Sequence, residues 1–252
     1  THFCPWCTYG SMTDPITANL RLTEKRIQAA AERAGRDPAE IRLLPVSKTR
    51  PTADILVAHE AGYRRFGENL VQEAMGKWEA LREVVDLEWA VIGHLQSNKA
   101  KFVARFATEF QALSSLKVAS LLDRHLQRAG RRLRVLVQVN SSGEDSKFGL
   151  PPSEVLAFAK ELGAFDSLDV GGLMTLAVFS EEQERVAQCF STMQLLQKKL
   201  LDAHGEGWKE LSMGMSGDFE LAIEHGATCV RVGQAIFGSR LDPNQYWPTA
   251  GK

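Results

Sequence analysis

The stretch Ile41-Arg-Leu-Leu-Pro-Val-Ser-Lys48-Thr-Arg-Pro51 reads as an apolar strand that ends on a single lysine, with a proline-marked turn behind it. Its reading decides the fold, because the turn after the first strand separates the two common parallel α/β architectures. An open doubly wound sheet usually carries a glycine-rich phosphate turn there; Lys48-Thr-Arg-Pro has no glycine. The lysine has three readings. It reaches solvent, it pairs with an anion, or it holds a carbonyl compound as a Schiff base, since desolvation lowers an amine's pKa and frees its lone pair.

Working outward, apolar runs alternate with helical patterns. Strands are expected at Arg42–Lys48, Arg65–Glu68, Trp89–Gly93, Phe110–Leu113, Leu133–Asn140, Asp169–Met174, Glu210–Met213 and Cys229–Val232. Helical patterns lie at Thr52–Ala61, Leu70–Arg82, Asn98–Phe106, Leu116–Ala129, Pro152–Leu162, Glu181–His204 and Asp218–His225. Gly62, Gly130, Gly163, Gly205 and Gly226 stand where helices should stop. Regular β-then-α order implies a parallel sheet. Eight units in about 200 residues fit a closed (β/α)8 TIM barrel of the α/β class better than the doubly wound alternative. An extra amino-terminal helix from Asp14 to Gly35 puts Ile16, Leu20, Ile27, Ala30 and Ala34 on one face.

Composition narrows the partners. Lys plus Arg (30) against Asp plus Glu (31) leaves a net charge of -1, which gives no basic field for nucleic acid and no polybasic membrane anchor. No apolar run approaches the roughly 18 residues of a membrane helix, and a signal-peptide pattern is missing, so a cytoplasmic protein is expected. Residues 1–11 (THFCPWCTYGS) lack periodicity and read as a leader left by cloning, ahead of one domain over 12–252. Cys4-Pro-Trp-Cys7 has the C-x-x-C spacing, but neither the strand–helix context of a redox pair nor two further zinc ligands accompany it. Cys189 and Cys229 sit in apolar surroundings and read as buried thiols. No metal site is expected.

In a barrel, the residues that end the strands converge on one mouth. Around Lys48 these are Glu68 and Asn69, His94, Asn140, Met174 and Thr175, Ser212 to Ser216, and Arg231 to Gln234. Singly, Asn69 is equally a helix cap and His94 a hydrogen-bonded core imidazole. The last two loops carry a phosphate signal. Met213-Gly-Met-Ser216-Gly217-Asp218 leads into a helix, so its N–H groups and the Ser216 hydroxyl are placed for an anion, and Gly233 after Arg231 lets backbone amides come close. Two tight glycine turns without a ligand are the alternative. A ligand with a phosphate at one end and an aldehyde reaching Lys48 describes pyridoxal 5′-phosphate (PLP).

PVSKTRP (45–51), RFGENLVQEA (65–74), WAVIGHLQSNKAK (89–101), VNSSGEDSKFGL (139–150), GGLMTLA (171–177) and LSMGMSGDFELAIEHGATCVRVGQAIFG (211–238) together resemble the pyridoxal phosphate homeostasis proteins, small relatives of the alanine racemase amino-terminal barrel. The resemblance covers the chain from Met12 to about Arg240. It implies a PLP-binding (β/α)8 barrel of that type, PLP fold type III, with Lys48 as the Schiff-base lysine. It further implies that Ser216, Gly233 and Gln234 hold the phosphate, Gln234 through its backbone N–H. Arg231 matches the arginine facing the pyridine nitrogen in the racemases; an arginine keeps its proton, so the ring is a weaker electron sink than with an Asp partner. Asn69 and His94 lie in family motifs near the cofactor.

The racemases also have a second, β-rich domain, and the partner subunit supplies a tyrosine as opposing base. Here the tyrosines are Tyr9, Tyr63 and Tyr246, and none ends a strand; the chain runs out soon after the eighth strand, in Pro243-Asn-Gln-Tyr-Trp-Pro248. Two-base racemisation needs an acid on each face of the carbanion. The leading expectation is a carrier without turnover, in intracellular vitamin B6 homeostasis, that holds PLP reversibly on Lys48 and passes it to apo PLP-dependent enzymes, as a monomer. A PLP-dependent amino-acid racemase of weak activity is the alternative, and a Schiff-base aldolase on the same barrel is a third reading.

Overall fold

The computed structural model describes residues 14–144 and 147–239. Residues 1–11, read above as a leader, with Cys4, Cys7 and Tyr9, and the 243–248 segment with Tyr246, lie outside the described residues. Eight parallel strands form one sheet: β1 (Arg42–Pro45), β2 (Arg65–Glu68), β3 (Glu88–Val91), β4 (Glu109–Leu113), β5 (Leu133–Val139), β6 (Leu168–Thr175), β7 (Glu210–Ser212) and β8 (Cys229–Val232). Their order is β1-β8-β7-β6-β5-β4-β3-β2. A parallel bridge between Val46 and Gly67, with the Ser47 N–H donating to the Gly67 carbonyl at 3.0 Å, joins β1 to β2 and closes the barrel.

The strands are clad by α2 (Thr52–Glu60), α3 (Val71–Ala80), α4 (Ala100–Phe106), α5 (Leu116–Ala129), α6 (Val155–Leu162), α7 (Gln183–His204) and α8 (Phe219–Glu224). Helix α1 (Pro15–Arg33), started by the Asp14 carboxylate on the Ile16 N–H, packs on α8 and on a four-residue helix, α9 (Gln234–Phe237). The sequence reading has no counterpart of α9, because one turn between Gly233 and Gly238 is too short to show a period. Helix α5 starts on the Ser115 hydroxyl and stops at Gly130 in the left-handed conformation, as its sequence predicts.

Alternation along each strand sends one residue to the helices and the next into the barrel. Phe66, Trp89 and Phe110 go outward into the main core. Leu44, Ala90 and Cys229 meet inside as a small apolar layer. Below it, at the amino-terminal ends of the strands, the interior is ionic. Arg42 bonds Glu109 at 3.0 Å and also Glu210; Arg65 bonds Glu109 at 2.6 Å; Arg134 bonds Glu210 at 3.2 Å. Glu109 is fully buried, and against the cost of that burial Arg42 and Arg65 hold its carboxyl below the usual range. This floor leaves the opposite mouth as the open end.

Candidate functional site

The largest departure from the sequence reading concerns Lys48. Strand pairing ends at Pro45 and Val46, and Lys48 follows in a turn, half-buried. The Arg50 N–H closes that turn on the Ser47 carbonyl at 3.1 Å, so Lys48 and Thr49 are its central residues. Thr49 has φ of 63°, the left-handed region that glycine or asparagine normally occupies at this position. The apolar pattern of 41–48 runs past β1 because Val46 still bridges to Gly67 and Ser47 is buried, while Lys48 has already left the ladder.

Behind the turn lies a buried polar cluster. By alternation Ser47 and Glu68 point away from the barrel interior, toward α3. Lys77 Nζ donates to the Ser47 carbonyl, to Glu68 Oε1 and to Glu73 Oε1, each at 2.7 Å. The Ser47 hydroxyl donates to Glu68 Oε1, and the Thr49 N–H to Glu73 Oε1, both at 2.6 Å. Burial pushes the Glu68 carboxyl up to about 7; Lys77 opposes that rise and Glu73 adds to it. Glu68 therefore belongs to this cluster and not to the mouth, where the sequence placed it. Glu73 and Lys77 were missed, because a Glu–Lys pair four apart on a helix looks like an ordinary surface ion pair. Their one signal was proximity to FGEN.

Across the β1–β8 seam stand the proposed phosphate residues. Gly233 follows β8 and lies so close to β1 that a Cβ on it would be 3.0 Å from the Val46 carbonyl oxygen. Gln234 opens α9, with its side chain exposed. The Ala235 N–H donates to Ser216 Oγ at 3.3 Å, which brings the β7 and β8 loops together. The Ser216 loop turns at Gly214, whose φ is +96° and whose Cβ would lie 2.7 Å from that of Ala222. Lys48, Ser216, Gly233 and Gln234 thus occupy one continuous stretch of the mouth.

Arg231 projects from β8 into the interior and is 3% exposed. It donates to Ser212 Oγ and to the Thr175 carbonyl, each at 2.7 Å, and makes no ion pair among the described residues. Burial lowers its pKa, though a guanidinium stays charged. Its hydrogen bonds go to neutral oxygens, with Asp218 acting on it through space, and such a buried cation favours an electron-rich partner. Asn69 directly follows β2, and its side chain takes no cap on α3. A Cβ on Gly93 would meet the Asn69 carbonyl oxygen at 2.1 Å, so the β2 and β3 loops are in close backbone contact. His94 is exposed at the rim and stacks on Phe148 at 4.1 Å between ring centroids and 13° between planes, which excludes the core-imidazole reading. Asn140 braces its own loop through the Glu144 carbonyl at 2.8 Å.

An amine, a group of backbone and hydroxyl donors, and a buried guanidinium at the open end of a parallel barrel define a ligand-holding (β/α)8 barrel. Residues 19–241 match the domain family described as alanine racemase, N-terminal domain. The pyridoxal phosphate homeostasis protein of Pseudomonas aeruginosa is 43% identical over 225 residues, covering 89% of this chain and 96% of that protein. Its namesake in Escherichia coli K12 is 39% identical over 227 residues, with 89% and 97% covered. The chain belongs to the family of pyridoxal phosphate homeostasis proteins. Among solved structures, PipY of Synechococcus elongatus PCC7942 with PLP bound has a TM-score of 0.79 at 32% identity, covering 88% of this chain and all of that one (100%). Alanine racemase of Clostridium difficile 630 has a TM-score of 0.68 at 16% identity, covering 89% of this chain and 57% of that chain, a likeness of fold.

The donor set of this chain fits PLP. Lys48 is a primary amine, Ser216 and the backbone at Gly233 and Gln234 offer neutral donors for a phosphate, and Arg231 offers an N–H to a ring nitrogen.

Proposed function

We propose that this chain binds PLP reversibly through Lys48 and serves intracellular vitamin B6 homeostasis as a carrier, with residues 12–252 acting as one cytoplasmic domain. The observation that carries the reading is the β1–β8 seam. Gly233 sits against Val46, two residues before Lys48, and Ala235 reaches Ser216. Amine and phosphate donors therefore flank one another.

PLP supplies an aldehyde that condenses with a primary amine with loss of water. Lys48 offers that amine. Ser216 and the amides of Gly233 and Gln234 bind the phosphate, and Arg231 directs an N–H at the pyridine nitrogen while keeping its own proton. Asn69 lines the β2 side. His94, its ring backed by Phe148, forms the rim above it. The relatives are named homeostasis proteins and not enzymes, which supports a carrier. So does Tyr63. It precedes β2 at the floor end of the barrel and donates its hydroxyl to Glu24 at 2.6 Å, far in topology from the mouth where an opposing base would act. A monomer that hands PLP to apo-enzymes completes the proposal. Among the described residues no helix is long and apolar enough to cross a membrane.

The test is addition of PLP to purified protein, borohydride reduction and peptide mapping. A visible band that disappears on reduction, with the label on Lys48, is expected; a chain that stays colourless overturns the reading. Incubating the loaded protein with L-amino acids in deuterated water separates carrier from enzyme. Enzyme-like exchange of the α-proton would favour the racemase.

A further inference from the structure

Both peptide groups that flank Lys48 are held from outside the barrel by one helix. Lys77, 4% exposed on α3, grips the Ser47 carbonyl on one side at 2.7 Å, and Glu73, one turn earlier, takes the Thr49 N–H on the other at 2.6 Å. The two side chains are bonded to each other at 2.7 Å and both are buried, so they act as one rigid brace. Thr49 needs such a brace. A β-branched residue at φ of 63° is strained, and the conformation persists only where its surroundings dictate it. The sheet does not do so, because its ladder ends at the Val46–Gly67 bridge. The brace also lies behind the turn, on the helix side, where it does not meet a ligand in the mouth.

We propose that Glu73 and Lys77 are positioning residues for Lys48, fixing the turn so that its amine is presented to the aldehyde of the bound ligand. The inference rests on the reading of Lys48 as the PLP-holding lysine. It predicts a division that a general structural role would not produce. Loosening the brace should weaken a ligand that bonds to Lys48 and spare one that uses the rest of the site.

Two ligands make that division. PLP carries the aldehyde; pyridoxine 5′-phosphate has the same ring and phosphate with an alcohol in its place. Binding of both is measured on the full chain by titration, the second by competition where it gives no signal. In Glu73→Ala, PLP affinity should fall at least tenfold and pyridoxine 5′-phosphate affinity less than twofold. Glu73→Gln, which keeps an acceptor for the Thr49 N–H, should return PLP affinity to within about threefold of the parent. If Glu73→Ala does not fold, Lys77→Met combined with Glu68→Gln removes the grip on the Ser47 carbonyl while reducing the buried negative charge, and the same split is expected. Equal losses for both ligands, or no loss for PLP, overturn the proposal. A parent chain that forms no band with PLP removes the carrier reading instead, so the two failures are distinguishable.

Discussion

Arg231 Nη1 donates to the Ser212 hydroxyl at 2.7 Å, and that hydroxyl passes the bond on to Gln111 Oε1 at 2.6 Å. Gln111 in turn donates to Glu109, which holds Arg42 and Arg65. One hydrogen-bonded line therefore runs from the ionic floor of the barrel to the guanidinium beneath the mouth. Every member of the line between the two charged ends is neutral, so Arg231 is oriented without being neutralised.

Ser212→Ala should break this line at its centre. It leaves a buried Arg231 donor and the Gln111 carbonyl oxygen unmatched, a cost of about 1–3 kcal/mol. Urea denaturation at pH 7 would show it. The visible band of the PLP complex should also shift, because Arg231, proposed to face the ring, keeps only its Thr175 anchor; an unmoved midpoint and an unmoved band would remove the line's importance.

Lys48→Ala should abolish the band and the borohydride label yet retain phosphate-held PLP, since Ser216, Gly233 and Gln234 remain. Equilibrium dialysis measures the retained fraction. Loss of all binding would mean that the seam contributes far less than its geometry implies.

The Glu68 cluster predicts a particular dependence of stability on pH. Its carboxyl is held up to about 7 against a usual 4.5, chiefly by burial, with Glu73 adding to the rise and Lys77 and the Ser47 hydroxyl opposing it. The folded chain then binds the proton more tightly than the unfolded chain. This contribution to stability is complete below about 4.5 and is lost as pH rises through about 7. Glu68→Gln should flatten the melting temperature against pH across that window; an unchanged slope would assign the titration elsewhere.

Gly93→Ala should cost about 1–3 kcal/mol, as overpacking of a tight contact does. The added methyl would meet the Asn69 carbonyl, which is backbone and cannot swing aside. Thermal melting checks the cost, and PLP titration checks whether the Asn69 side of the mouth moves with it.

Most of the barrel was legible in the sequence. The bounds of β2, β8 and α5 coincide with those read from the apolar runs and their caps, because glycines and polar turns stop those elements sharply. At Lys48 the same method overran by three residues, since the apolar pattern continues through Val46, which keeps a single bridge, and the buried Ser47. The residues that share the β1–β8 seam could be gathered from strand ends, because closure of a parallel barrel brings its first and last strands together. The brace on α3 could not. It depends on outward-facing polar residues meeting a helix, and that pairing has no period to betray it. His94 shows the converse limit, since nothing in its own stretch foretells a stack on Phe148 from a loop two strands away.

The seating of Gly233 against Val46 also has a meaning in time. The part of the mouth that carries Lys48 is built from residues 42–80, whose contacts close over short loops at low entropic cost. The part that carries Ser216, Arg231 and Gly233 comes from the far end of the chain and meets it only when β8 docks beside β1. A growing polypeptide thus has its lysine long before it has the proposed phosphate donors. On the proposed reading, a PLP phosphate finds its donors only once β8 has docked, and a ligand held there would span the β1–β8 seam like a clasp.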